Sequence, residues 1–95
     1  MDKLHTREID DLFKAILSLE SLDECYKFFE DACTVKELLD ISGRLKAARL
    51  LKEGKSYAEV CSETGMSTAT VSRVNKCLSY GDGGYELAIA RLIEE

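Results

Sequence analysis

The residues of this chain best suited to bind a ligand lie in one short run, Ser67 to Lys76, in which Thr68, Ala69, Thr70, Ser72, Arg73, Asn75 and Lys76 are interleaved with Val71 and Val74. Small side chains at the start of such a run let the backbone come close to a groove. The arginine, asparagine and lysine further along can hydrogen-bond base edges or pair with phosphate. Val71, Val74 and Leu78 recur at i, i+3 and i+7, so on a helix they form a narrow buried stripe and leave the polar residues facing outward. Lys55, placed ahead of the run, supplies a further cation for a phosphate backbone. The expected partner is double-stranded DNA, met by Lys55, Ser67, Thr68, Ala69, Thr70, Ser72, Arg73, Asn75 and Lys76.

Positioning that face requires a preceding helix and a tight turn, and the sequence supplies both. Ser56 followed three residues later by Glu59 is a capping-box pattern that starts a helix. Val60 and Cys61 fall on one face of it with Tyr57. Gly65 stands where the helix must stop and the chain reverse, a place where positive φ costs a glycine least. Met66 can pack under the turn, and Ser67 is a good N-cap for the second helix. Residues 56–78 therefore read as a helix-turn-helix. The alternative is a helical scaffold that binds protein rather than DNA, which requires the face of Thr68, Ser72, Arg73 and Lys76 to be buried.

Around this motif the periodicity gives four more helices and no strand. The first runs from about Thr6 to Ser18 on Ile9, Leu12, Phe13 and Ile16; the second starts at the Ser21–Glu24 box with Leu22, Cys25, Tyr26 and Phe29 on one face. Thr34 with Glu37 starts a third, Val35 to about Glu53, which ends at Gly54 and forms a spine roughly 30 Å long. Ser79 to Gly84 reads as a flexible turn, followed by a last helix with Tyr85, Ala88, Ile89 and Leu92 on one side. The fold class is all-α with six helices in a single domain, residues 1–95. The apolar stripes at both ends exceed what one small protomer hides, so a homodimer is expected. Two-fold symmetry would set two reading helices about one DNA turn, roughly 34 Å, apart.

Composition agrees with a compact helical protein: 45% of residues are hydrophobic, 33% are charged and there is no proline. The net charge of −5 is unevenly spread. Arg44 to Cys77 holds seven basic residues against three acidic, a net +4, and the remainder carries −9. Positive charge thus gathers beside the reading helix. Cys25, Cys33, Cys61 and Cys77 form no C-x-x-C pair and the lone histidine is His5, so no metal is expected, the thiols read as buried small apolar residues, and His5 as solvated. No cofactor is expected. Cysteine and histidine are not paired and no glycine loop leads into Lys-Ser/Thr, so the chain does not read as an enzyme. It has no apolar span or signal-peptide core, which suggests a cytoplasmic protein.

The segment from Thr34 through Gly43-Arg44 and LLKEG (50–54), the SYAEV start, the turn at Gly65, TATVSR (68–73) and LSYGDGGY (78–85) together resemble the tryptophan repressor superfamily, most closely the YerC/YecD family of tryptophan-repressor-like proteins. Membership would imply six helices, an intertwined homodimer and operator DNA binding by a transcriptional regulator, most simply a repressor. The resemblance also implies a small-molecule effector pocket, with Thr34, Arg44, Thr70 and Arg73 at matching positions. Val74 stands where the tryptophan repressor has a glycine that leaves room for its ligand, so L-tryptophan is not the expected effector.

Overall fold

The computed structural model describes residues 3–93, and they form six helices with no strand among them: α1 (Arg7–Leu17), α2 (Leu22–Ala32), α3 (Val35–Lys52), α4 (Tyr57–Thr64), α5 (Thr68–Tyr80) and α6 (Gly84–Ile93). No helix among the described residues is long and apolar enough to cross a membrane. Met1–Val35 and Lys36–Glu95 form two compact units.

In the first unit, Thr6 caps α1 by accepting from the Ile9 N–H at 3.2 Å, and Ser21 caps α2 by accepting from the Glu24 N–H at 3.1 Å. The expected capping box at Ser21 is displaced by one residue. Glu24 Oε1 accepts from the N–H of Glu20 at 2.9 Å, not from Ser21. Phe28 and Phe29 meet edge to face with centroids 5.2 Å apart. No residue of α1 or α2 is buried, and Leu12, Phe13, Leu17, Leu22 and Tyr26 are exposed within the single chain.

The second unit holds the core, which consists of Ala47 and Ala48 of α3, Val60 of α4, Val71 and Val74 of α5 and Ile89 of α6. Paired alanines on α3 keep its surface low, so other helices can approach it closely. Each valine withdrawn from water contributes about 1.5–3 kcal/mol. Leu45, Leu50, Leu51, Cys61, Met66 and Tyr85 pack around these six. The spine helix closes as the sequence suggests. The Gly54 N–H donates to the Leu51 carbonyl at 3.0 Å and the Lys55 N–H to the Leu50 carbonyl at 3.1 Å, the paired bonds of a Schellman end.

Two expectations need correction here. Ser79 and Tyr80 continue α5 instead of forming a turn, and Gly84 already belongs to α6, so the connection shrinks to residues 81–83. Gly81 caps the end of α5, and a Cβ there would lie 2.4 Å from the Cys77 carbonyl oxygen, so the position as folded requires glycine. The thiols are free but not buried: Cys25, Cys33 and Cys61 are half-buried and Cys77 is exposed, and of the four only Cys61 packs against the core of valine, alanine and isoleucine. His5 is exposed, as expected.

Candidate nucleic-acid interface

The local bonds that build the motif follow from its side chains. Ser56 and Glu59 form the full capping box: Ser56 Oγ accepts from the Glu59 N–H at 3.2 Å, and Glu59 Oε1 accepts from the Ser56 N–H at 3.1 Å. The Ser56 backbone N–H, then its hydroxyl, then the charge of Lys55 hold the Glu59 carboxyl below the usual carboxylate range. At the other end of α4, Gly65 adopts φ +74°, and its N–H donates to the Cys61 carbonyl at 2.9 Å. Thr64 spans the turn, with its hydroxyl donating to the Val60 carbonyl at 2.7 Å and accepting from the Met66 N–H at 3.2 Å. Lys46 on α3 reaches the Glu63 carbonyl at 3.5 Å, placing a cation at the negative end of α4.

Ser67 then starts α5. Its Oγ accepts from the Thr70 N–H at 3.2 Å and lies 3.0 Å from the Thr70 hydroxyl. The first residue of α5, Thr68, sits against α4, with Oγ1 3.8 Å from Cys61 Sγ. Val71 and Val74 face the core. Lys55, Ser67, Thr68, Ala69, Arg73 and Lys76 are exposed, whereas Thr70, Ser72 and Asn75 are half-buried. The structure therefore divides the sequence-derived set. Ser67 and Thr70 spend their hydroxyls on the helix start, and Thr68, Ala69, Arg73 and Lys76 form an open outer face. Leu78, the third member of the stripe, is half-buried.

The cations divide in the same way. Lys52 pairs with Glu86, and Lys55 lies 3.9 Å from Glu59. Among the described residues Arg44, Arg49, Arg73 and Lys76 have no carboxylate within ion-pair distance, so their charge is available to a phosphate backbone. Tyr57, which the sequence places on one face of α4 with Val60 and Cys61, is 37% exposed. Its position as the first residue of α4, before the helix packs on α5, was the available signal.

A cavity of about 720 Å³ opens beside the turn, with Arg44, Met66, Thr70, Arg73, Val74 and Tyr85 among its walls. That volume falls within the range of small-molecule sites, roughly 300–1,000 Å³. Three of the four pocket residues suggested by resemblance come together there. Thr34 belongs to the other compact unit. Val74, only 2% exposed, is among the lining residues. Lys36 and Asp40, also in the lining, pair at 2.9 Å, and this partner raises the Lys36 pKa.

Compared with known proteins, residues 7–93 match the Trp repressor protein family. The chain belongs to that family. It is 51% identical over 94 residues to the uncharacterised protein YerC of Bacillus subtilis (strain 168), covering 99% of this chain and 90% of YerC. The solved structure of a TrpR-like protein from Eubacterium eligens ATCC 27750 superposes with a TM-score of 0.93 at 49% identity, over 97% of this chain and 95% of that one. A candidate Trp repressor from Staphylococcus aureus does so with a TM-score of 0.92 at 45% identity, over 99% and 94%. The Trp repressor family assignment thus spans both compact units and includes the helix-turn-helix.

Proposed function

We propose that this member of the Trp repressor family is a sequence-specific, double-stranded-DNA-binding transcriptional regulator, a repressor in the simplest case, acting without catalysis in the cytoplasm. The observation that carries the reading is the outer face of α5. It is open to solvent along Thr68, Ala69, Arg73 and Lys76 while Val71 and Val74 anchor the opposite side, and its two cations have no carboxylate partner among the described residues. A reading helix needs this division: a buried stripe to fix it and an unneutralised face to meet phosphates and base edges. The protein-scaffold alternative would be favoured by a buried face; Thr68, Arg73 and Lys76 are exposed and Ser72 is half-buried, which supports the DNA reading.

The regulator works as a homodimer, supported by the exposed Leu12, Phe13, Leu17, Leu22 and Tyr26. In that assembly residues 1–95 act as one domain. The cavity between Arg44 and Arg73 is the place for a small-molecule effector, and L-tryptophan is not that molecule because Val74 narrows the space for a planar indole. Calorimetric titration of L-tryptophan is expected to give no saturable binding at micromolar concentration. Selection of bound sequences from random duplex DNA tests the main reading: enrichment of a two-fold-symmetric site supports it, and recovery of no preferred sequence contradicts it.

A further inference from the structure

We infer that the cavity beside the turn takes a small dianion, a dicarboxylate or a phosphomonoester, and that this anion opposes DNA binding because both ligands draw on Arg73; the inference rests on the DNA-binding reading above. On α5, Thr70, Arg73, Val74 and Cys77 recur at i, i+3, i+4 and i+7, and all four line the cavity. Arg73 stands at the edge of that stripe. Ala69 and Lys76, four residues before it and three after, are its helical neighbours on the exposed outer face. The Arg73 side chain is itself exposed, with no carboxylate within ion-pair distance among the described residues. One guanidinium thus borders both the cavity and the face assigned to DNA.

The charges around the cavity set the ligand class. Its lining holds three cations, Lys36, Arg44 and Arg73, and one carboxylate, Asp40. Asp40 pairs with Lys36 at 2.9 Å, which leaves the two guanidiniums uncompensated. A guanidinium binds carboxylate or phosphate through a two-point fork, and a molecule with two negative charges compensates both. A zwitterionic amino acid would instead bring an ammonium group into a surplus of positive charge, where the carboxylate is already taken. Once the anion holds Arg73 at the cavity, the phosphate backbone loses that cation. The coupling is reciprocal, so DNA that occupies Arg73 weakens the anion by the same factor. The anion therefore releases the protein from DNA, whereas a corepressor would tighten it.

The test follows a selected duplex by fluorescence anisotropy at constant ionic strength and about pH 8, where a phosphomonoester carries two charges. Glutarate, methyl phosphate, butyrate or 4-aminobutyrate is added to the full-length parent and to Arg44→Gln, and each compound is titrated calorimetrically into the DNA-free parent. Glutarate or methyl phosphate should bind the parent and raise its Kd for DNA by about 5–150-fold, the usual range of coupling between two sites. Which of the two acts tells a dicarboxylate from a phosphomonoester. Butyrate and 4-aminobutyrate should leave the Kd unchanged. Arg44→Gln, whatever its own DNA affinity, should lose the dianion effect, because Arg44 on α3 supplies the other half of the anion site. Neither dianion binding, or butyrate matching them, overturns the ligand class. Dianion binding with an unchanged or lowered Kd for DNA overturns the sharing of Arg73, and so does an equal loss of DNA binding by Arg44→Gln, which would mark general competition for phosphate contacts. In each of these cases the parent still binds the duplex and the DNA reading stands. A parent that binds no duplex at low salt overturns the DNA reading, and this inference with it.

Discussion

Replacing Ser67 separates two roles that the sequence places on one residue. The hydroxyl accepts from the Thr70 N–H at 3.2 Å and lies 3.0 Å from the Thr70 hydroxyl, so Ser67→Ala removes the cap of α5 and leaves a half-buried threonine short of a partner. Losing a serine N-cap typically costs about 1 kcal/mol, with a range of roughly 0.5–2. For a domain of this size, each kcal/mol lowers the melting temperature by about 4–8 °C. Ser67→Asp should behave differently. Aspartate is an equally good cap, and its charge at a helix N-terminus adds about 0.3–1 kcal/mol, so this variant should melt at or above the parent. The same carboxylate would face phosphate, so Ser67→Asp should bind DNA far more weakly than Ser67→Ala when both are measured well below their melting temperatures. The assays are calorimetric melting and duplex binding at fixed salt. If Ser67→Ala melts like the parent, the capping role is wrong; if Ser67→Asp binds DNA like the parent, the start of α5 does not approach phosphate.

Phe29→Asp replaces the edge-to-face Phe28–Phe29 contact with a charge in a unit with no buried residue in either helix, and should dissociate or unfold the proposed dimer; sedimentation of the parent as a stable 10.6 kDa monomer at micromolar concentration would refute the premise. Gly81→Ala would press a methyl group onto the Cys77 carbonyl oxygen, so it should cost the last turn of α5 and roughly 1–3 kcal/mol on denaturant unfolding. The Glu59 carboxyl is held below its usual range when folded, so its contribution is present above the unfolded pKa and disappears as pH falls through the lower folded value. Melting curves on acidification should accordingly fall less for Glu59→Gln than for the parent.

Much of the motif was legible because its signals are local. The Ser56–Glu59 box, the glycine at 65, the Ser67 cap and the Val71–Val74 stripe each depend on neighbours within a few residues, and each appears in the structure where its spacing placed it. What stayed hidden depends on contacts distant in sequence or on competition between partners. Thr70 and Ser72 look like groove-facing residues on a helical wheel, but packing makes both half-buried, and the Thr70 hydroxyl is taken by Ser67. Ser79 and Tyr80 precede a glycine-rich stretch and so read as turn, yet nothing breaks a helix until Gly81, where the Cys77 carbonyl leaves no room for a side chain. The cysteines were assigned to the core by residue type, but Cys61 only borders a core of valine, alanine and isoleucine, and Cys25 and Cys33 lie on helices with no buried residue.

Whether α5 is the helix that meets DNA is decided by the salt dependence of duplex binding, compared between the parent and the Arg73→Ala/Lys76→Ala double variant. In a two-fold dimer those residues supply four phosphate contacts, each contributing about 0.9 to the slope of log affinity against log salt. The parent should bind duplex DNA at low salt, and the double variant should show a slope about 3–4 units shallower while keeping its helical content. No binding by the parent at low salt, or an unchanged slope in the double variant, would contradict the assignment of α5 as the DNA-reading helix.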